Sequence, residues 1–183
     1  RLAPSADHGV TTVVMGNCGV GFAPVRPDER DFLIELMEGV EDIPGSALAD
    51  GIDWAWESFP EYLDALDNKA RALDVVAQIP HGALRTYVLG QANNLNAPAT
   101  AEQIQQMAAL TQQAIEAGAF AFSTNRIAMH TSTDGESVSG SFAEKEEVLA
   151  IVKAMQDGGA YLLHVVPDGL MGENPTAFQA EVQ

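Results

Sequence analysis

Short runs of residues that favour extended backbone alternate along this chain with longer helical patterns, and that alternation limits the fold more than any other feature. Thr11 to Met15 form a β-prone run stopped by Gly16, and Leu73 to Ile79 form a second, stopped by Pro80. Ala119 to Ser123 and Tyr161 to Val166 follow. Runs with apolar residues on both faces suit strands covered on both sides, as in parallel sheets.

The helices between them carry start and stop signals. Thr100 with Gln103 has capping-box spacing, Ile104, Met107, Ala108, Ala114 and Ile115 form an apolar stripe, and Gly118 is the stop. Ser141 with Glu144 repeats that spacing, ahead of Val148, Leu149, Ile151, Val152 and Met155 as the buried side and Gly158-Gly159 as the end. Upstream, Pro27-Asp28 opens a helix carrying Phe32, Leu33, Leu36 and Met37, and Ser58 with Glu61 caps another around Tyr62, Leu63 and Leu66. Gly39 to Glu57 reads as a long acidic excursion containing Trp54 and Trp56.

Strand, helical insertion, strand, helix, strand, helix, strand is the βαβ order whose right-handed crossovers build a parallel sheet, so the fold class is α/β. Four strands in 183 residues amount to about half of an eight-stranded barrel of ~250 residues, or to most of a small doubly wound sheet. The pattern is compatible with both.

Composition narrows the function. With 46% apolar residues the chain can bury one core, while 9 basic against 26 acidic residues, a formal net charge of −17, argue against nucleic acid and anionic membrane surfaces as partners. No run approaches the ~20 apolar residues a membrane span needs, and one cysteine cannot make an internal disulfide, so a cytoplasmic protein is expected. There is no Gly-x-Ser-x-Gly elbow, no His-Glu-x-x-His pair and no Cys-x-x-Cys. Gly16 to Gly21 is glycine-rich without dinucleotide-binding spacing.

In either parallel architecture ligands bind at the carboxyl ends of the strands. Those ends carry Gly16-Asn17-Cys18-Gly19, then His81, then Thr124-Asn125-Arg126, and finally His164 followed by Asp168. A thiolate and imidazoles from several strand ends can converge on one zinc ion. Each also has a plainer reading: Cys18 as a buried filler, His81 as a turn residue, His164 as a hydrogen-bonded core histidine. His8 precedes the first strand and belongs at its amino end, and His130 adjoins the polar stretch 131–136, a loop that could close over a site.

The stretch His8 to Pro24 closely resembles the segment around the metal-binding cysteine of D-aminoacylases (N-acyl-D-amino-acid deacylases), a branch of the amidohydrolase superfamily. Further similarity runs through Glu57 to Leu66, Pro80 to Arg85, Ala117 to Thr124 and Gly158 to His164. The resemblance implies a TIM-like (β/α)8 metal-dependent hydrolase barrel in which a metal-activated water attacks the amide of a small N-acyl amino acid. Cys18 and His164 are carried over as metal ligands with zinc as the ion, and His81 falls on a family histidine without an assigned role. Asn17, Asn125 and Arg126 are candidates for the substrate pocket, with Arg126 available to pair a substrate carboxylate.

The family's His-x-His pair would precede Arg1, and its remaining metal histidine and catalytic aspartate would follow Gln183. The expectation is therefore that residues 1–183 form the central portion of such a barrel, inactive by itself and open to self-association. Val165-Val166-Pro167-Asp168 departs from the family's sequence after the metal histidine, so the surroundings of the site differ. The alternative is a non-catalytic α/β binding module with Trp54 and Trp56 as a partner surface.

Overall fold

A computed structural model describes residues 2–93, 95–169 and 176. It holds four parallel strands, β1 (Thr12–Met15), β2 (Asp74–Pro80), β3 (Ala121–Asn125) and β4 (Leu163–Val166), joined in the order β1-β2-β3-β4. The short helix α1 (Ala3–Asp7) precedes β1, with His8 at its carboxyl end and so at the amino end of the strand. The first crossover carries α2 (Arg30–Glu41), α3 (Gly45–Gly51) and α4 (Phe59–Asp67). The second carries α5 (His81–Leu89) and α6 (Ala101–Glu116), and the third α7 (Lys145–Asp157).

Register sets the two faces of the sheet. Ile79 lies opposite Phe122, and both are buried in the helix-covered core with Leu84, Met107, Ala114, Ile115, Ile151 and Met155. One residue further along, Pro80, Ser123 and His164 are register neighbours and share the opposite face, because side chains alternate along a strand.

Both capping boxes at Ser58 and Thr100 form, with Ser58 accepting from the Glu61 N–H and Thr100 from that of Gln103, each at 3.3 Å. The one expected at Ser141 does not. Its hydroxyl instead donates to Asn125 Oδ1 at 2.8 Å, and α7 starts after Glu144 with no side-chain cap. On α7 the buried stripe also differs from expectation: Leu149 is exposed and Glu147 takes an inward position. The acidic excursion contains the end of α2 and all of α3. Trp56 is buried, its indole N–H donating to Phe22 O at 2.7 Å, and Trp54 packs between Phe22 and Trp56, so the pair is core rather than an exposed partner surface. Among the described residues no helix is long and apolar enough to cross a membrane.

Behind β3, Glu147 is fully buried and shared by two partners. Its Oε1 accepts from His81 Nε2 at 2.9 Å, and Oε2 forms an ion pair with the Arg85 guanidinium, all three side chains being about 1% exposed. The other His81 nitrogen, Nδ1, lies 2.8 Å from the Thr124 hydroxyl. A carboxylate only accepts, so His81 donates from Nε2 and accepts the Thr124 proton at Nδ1, which is the neutral ring. Burial pushes the His81 pKa down against the raising pull of Glu147. Burial pushes Glu147 up, but hydrogen bonds from His81 and Arg85 outweigh it and hold the carboxyl below its ordinary value.

Breaking such a buried pair leaves an uncompensated charge. Glu147→Gln is expected to destabilise the intact protein by about 3–5 kcal/mol in urea unfolding, whereas Lys153→Ala, which breaks an exposed pair with Asp157, changes stability by about 0.5 kcal/mol at most. A depressed histidine pKa confers stability that is present above the unfolded value and lost as pH falls through the folded one. Unfolding free energy should therefore decline as pH drops below about 6.5, and less so in His81→Gln.

Candidate metal and substrate site

The chain leaves β1 in a tight turn. Gly16 (φ 81°), Cys18 (φ 58°) and Gly19 (φ 72°) all adopt left-handed backbone around a single 3-10 turn, Asn17–Gly19. A Cβ on Gly16 would stand 2.5 Å from Gln78 O, and one on Gly19 3.0 Å from Thr124 Cα, so both positions need glycine for close approach as well as for φ. Cys18 accepts the same backbone strain with a side chain.

β3 supplies what holds the turn. Ser123 Oγ accepts from the Gly19 N–H at 3.1 Å and donates to Gly16 O, bridging the turn's two ends. Asn125 Nδ2 donates to Cys18 O at 2.9 Å while its Oδ1 takes the Ser141 hydroxyl. The turn thereby packs against β2, β3 and β4, the last of which carries His164.

Three of the residues singled out from sequence meet here. Cys18 and His164 are half-buried, and Asn17 is joined to His164 through Gln78: the Gln78 amide nitrogen lies 2.7 Å from Asn17 Oδ1 and 3.3 Å from His164 Nδ1. Asn17 and Gln78 also line a cavity of about 320 Å³ whose other walls include Met15, Phe22, Met37, Tyr62 and the acid Glu41. The remaining candidates are placed differently. Asn125 is 1% exposed with both polar ends engaged, so it clamps the turn and faces no open pocket. Arg126 stands at the end of β3 and donates to Ala143 O at 2.7 Å. His81 lies behind the sheet with both ring nitrogens bonded. The loop after His130 is closed by a Thr131–Ser137 bridge and lines a separate cavity of about 490 Å³ with α2, one that none of the candidate site residues borders.

Burial, and then the negative charge of Glu41, push the Cys18 thiol up. Alone it is a poor nucleophile, and a cation is what turns such a thiol into a thiolate ligand. A thiolate and an imidazole are donors that zinc favours, so the pair fits that ion. Among the described residues no group of three or more His, Cys, Asp or Glu is close enough to hold one.

The chain belongs to the amidohydrolase family, whose model matches residues 2–182. It is similar to the D-aminoacylase of Alcaligenes xylosoxydans xylosoxydans, 29% identical over 169 residues that make up 92% of this chain and 30% of that protein. Its fold matches the crystal structure of N-acyl-D-glutamate deacylase from Bordetella bronchiseptica complexed with zinc and a phosphonate inhibitor, with a TM-score of 0.64 and 25% identity over 97% of this chain and 32% of the other. It also matches a structure of D-aminoacylase described by its binuclear metal centre, with a TM-score of 0.61 and 27% identity over 87% and 29% of the two chains. The four strands and their helices are thus part of a TIM-like barrel, and the chain spans less than a third of the length of these relatives.

Gly19→Ala adds a clash to an unfavourable φ, and Ser123→Ala leaves the buried Gly19 N–H without its acceptor. Each is expected to cost about 1–3 kcal/mol in thermal unfolding of the intact protein, with Thr12→Ala on the exposed end of β1 as an indifferent control.

Proposed function

We propose that these residues form the central portion of a zinc-dependent amidohydrolase barrel that hydrolyses the linear amide of N-acyl-D-amino acids, with Cys18 and His164 as metal ligands. The observation that carries this reading is the turn after β1: it presents Cys18 beside the strand bearing His164, and the Asn17–Gln78 chain ties the two together. The D-aminoacylase relative and the zinc-complexed N-acyl-D-glutamate deacylase support both the substrate class and the metal.

Each residue then has a part. Zinc, when bound, polarises an amide carbonyl and supplies a water of low pKa near neutral pH. Ser123 and Asn125 keep the Cys18 turn rigid, which holds the thiol in one place. Asn17 lines the cavity where part of the substrate would lodge, and Arg126, the cation at the carboxyl end of β3, pairs the substrate carboxylate.

Mass spectrometry of the intact protein is expected to find bound zinc, strongly reduced in Cys18→Ser and in His164→Ala, with release of free amine from N-acetyl-D-amino acids lost in step. An intact protein that holds no zinc, or one that holds it and releases no amine, refutes the reading. Arg126→Ala should raise KM roughly tenfold or more with a smaller change in kcat, and an unchanged KM removes Arg126 from the substrate site.

A further inference from the structure

The cavity of about 320 Å³ at the carboxyl ends of β1 and β2 has a one-sided charge pattern. Phe22, Met37 and Tyr62 are among its apolar walls, and the polar side chains that line it are Asn17, Gln78 and Glu41. The two amides are engaged with each other, Gln78 Nε2 donating to Asn17 Oδ1 at 2.7 Å. Glu41 is the only charged residue among the described residues of the lining, and among the described residues no basic side chain pairs with it. It is exposed, so its carboxylate marks where the cavity meets solvent. Glu41 is also the last residue of α2, at the negative end of the helix dipole, and the last turn of that helix holds Glu38 and no basic residue. The Glu41 charge reaches as far as the Cys18 thiol.

We infer that the substrate group lodged in this cavity is an apolar stem ending in a positive charge, and that Glu41 selects it. An apolar stem gains by leaving water for such walls, while an ammonium at its end stays solvated beside Glu41. A carboxylate in the same place would meet like charge, with no cation in the lining to offset it. The inference rests on the amidohydrolase reading above and deepens it by naming the chemistry of the substrate. N-acyl-D-glutamate, the compound for which one relative is named, would be disfavoured here. The cationic stem can belong to the amino-acid side chain or to the acyl part, and the two sources are separable.

The test follows release of the free amino acid by the intact protein as purified. Nα-acetyl-D-lysine is compared with N-acetyl-D-norleucine, which has the same stem without the ammonium, and with N-acetyl-D-glutamate. A second pair, N-(6-aminohexanoyl)-D-alanine and N-hexanoyl-D-alanine, varies the acyl part instead. In one of the pairs the cationic compound should have a kcat/KM about fivefold above its neutral partner, the upper end for an exposed ion pair, and the glutamate compound should be the slowest. That pair identifies which part of the substrate enters the cavity. Glu41→Gln should bring its ratio close to one, and Glu41→Lys should reverse it and speed the glutamate compound, with the parent's far-UV spectrum kept in both. No preference in either pair, a preference for glutamate, or one that survives Glu41→Gln overturns the inference and leaves the hydrolase reading standing. A parent protein that releases no amino acid from any of these compounds defeats that reading and this one together.

Discussion

A carboxylate with no exposed surface must be given partners, and the rest of this structure is arranged around that requirement at Glu147. Its two oxygens take one group each from α5, His81 and Arg85, and His81 passes the contact on to Thr124 of β3. Arg85 spends its other donors on the carbonyls of Leu95 and Ala97, which ties down the segment leading into α6. One charge thereby positions two helices, a connecting segment and a strand.

The strand so fixed works on both of its faces. Because side chains alternate, Phe122 and Thr124 point to the helices while Ser123 and Asn125 point the other way, to the turn that holds Cys18. Displacing β3 by even one residue would exchange these sets and dismantle the outer network and the inner turn at once. The left-handed backbone at Cys18 is tolerated because Ser123, Asn125 and the close approach of Gly16 and Gly19 leave the turn no other shape.

Much of this arrangement was readable from residue order. The apolar runs at 11–15 and 73–79 sit on β1 and β2 almost without shift, while β3 starts two residues later than its run and takes in Thr124 and Asn125. Helix α5 was not readable, because it is buried nearly all round and so has no polar face to generate a period, and because His81-Gly82 after a proline resembles a turn. The cap at Ser141 was misread because a hydroxyl with the right spacing to Glu144 found a stronger use on Asn125. At the site, Cys18 and His164 stood out by chemical type at strand ends. Gln78 and Ser123 did not, since their partners lie 61 to 107 residues away in sequence. A polar residue inside an otherwise apolar run was the only available signal for either one.

Cys18 follows the first strand of the sheet and His164 lies on the last, with β2 and β3 between them. The two can meet only after three separate strand pairings have formed in their correct registers. With Cys18 and His164 as ligands in the way proposed, an ion held by both would favour states in which these pairings have formed. Occupancy of that position would act as a clasp between β1 and β4, drawing the equilibrium toward the paired strands as the ion's concentration rises. In a chain built this way, metal occupancy and the pairing of these four strands would be reported by the same event.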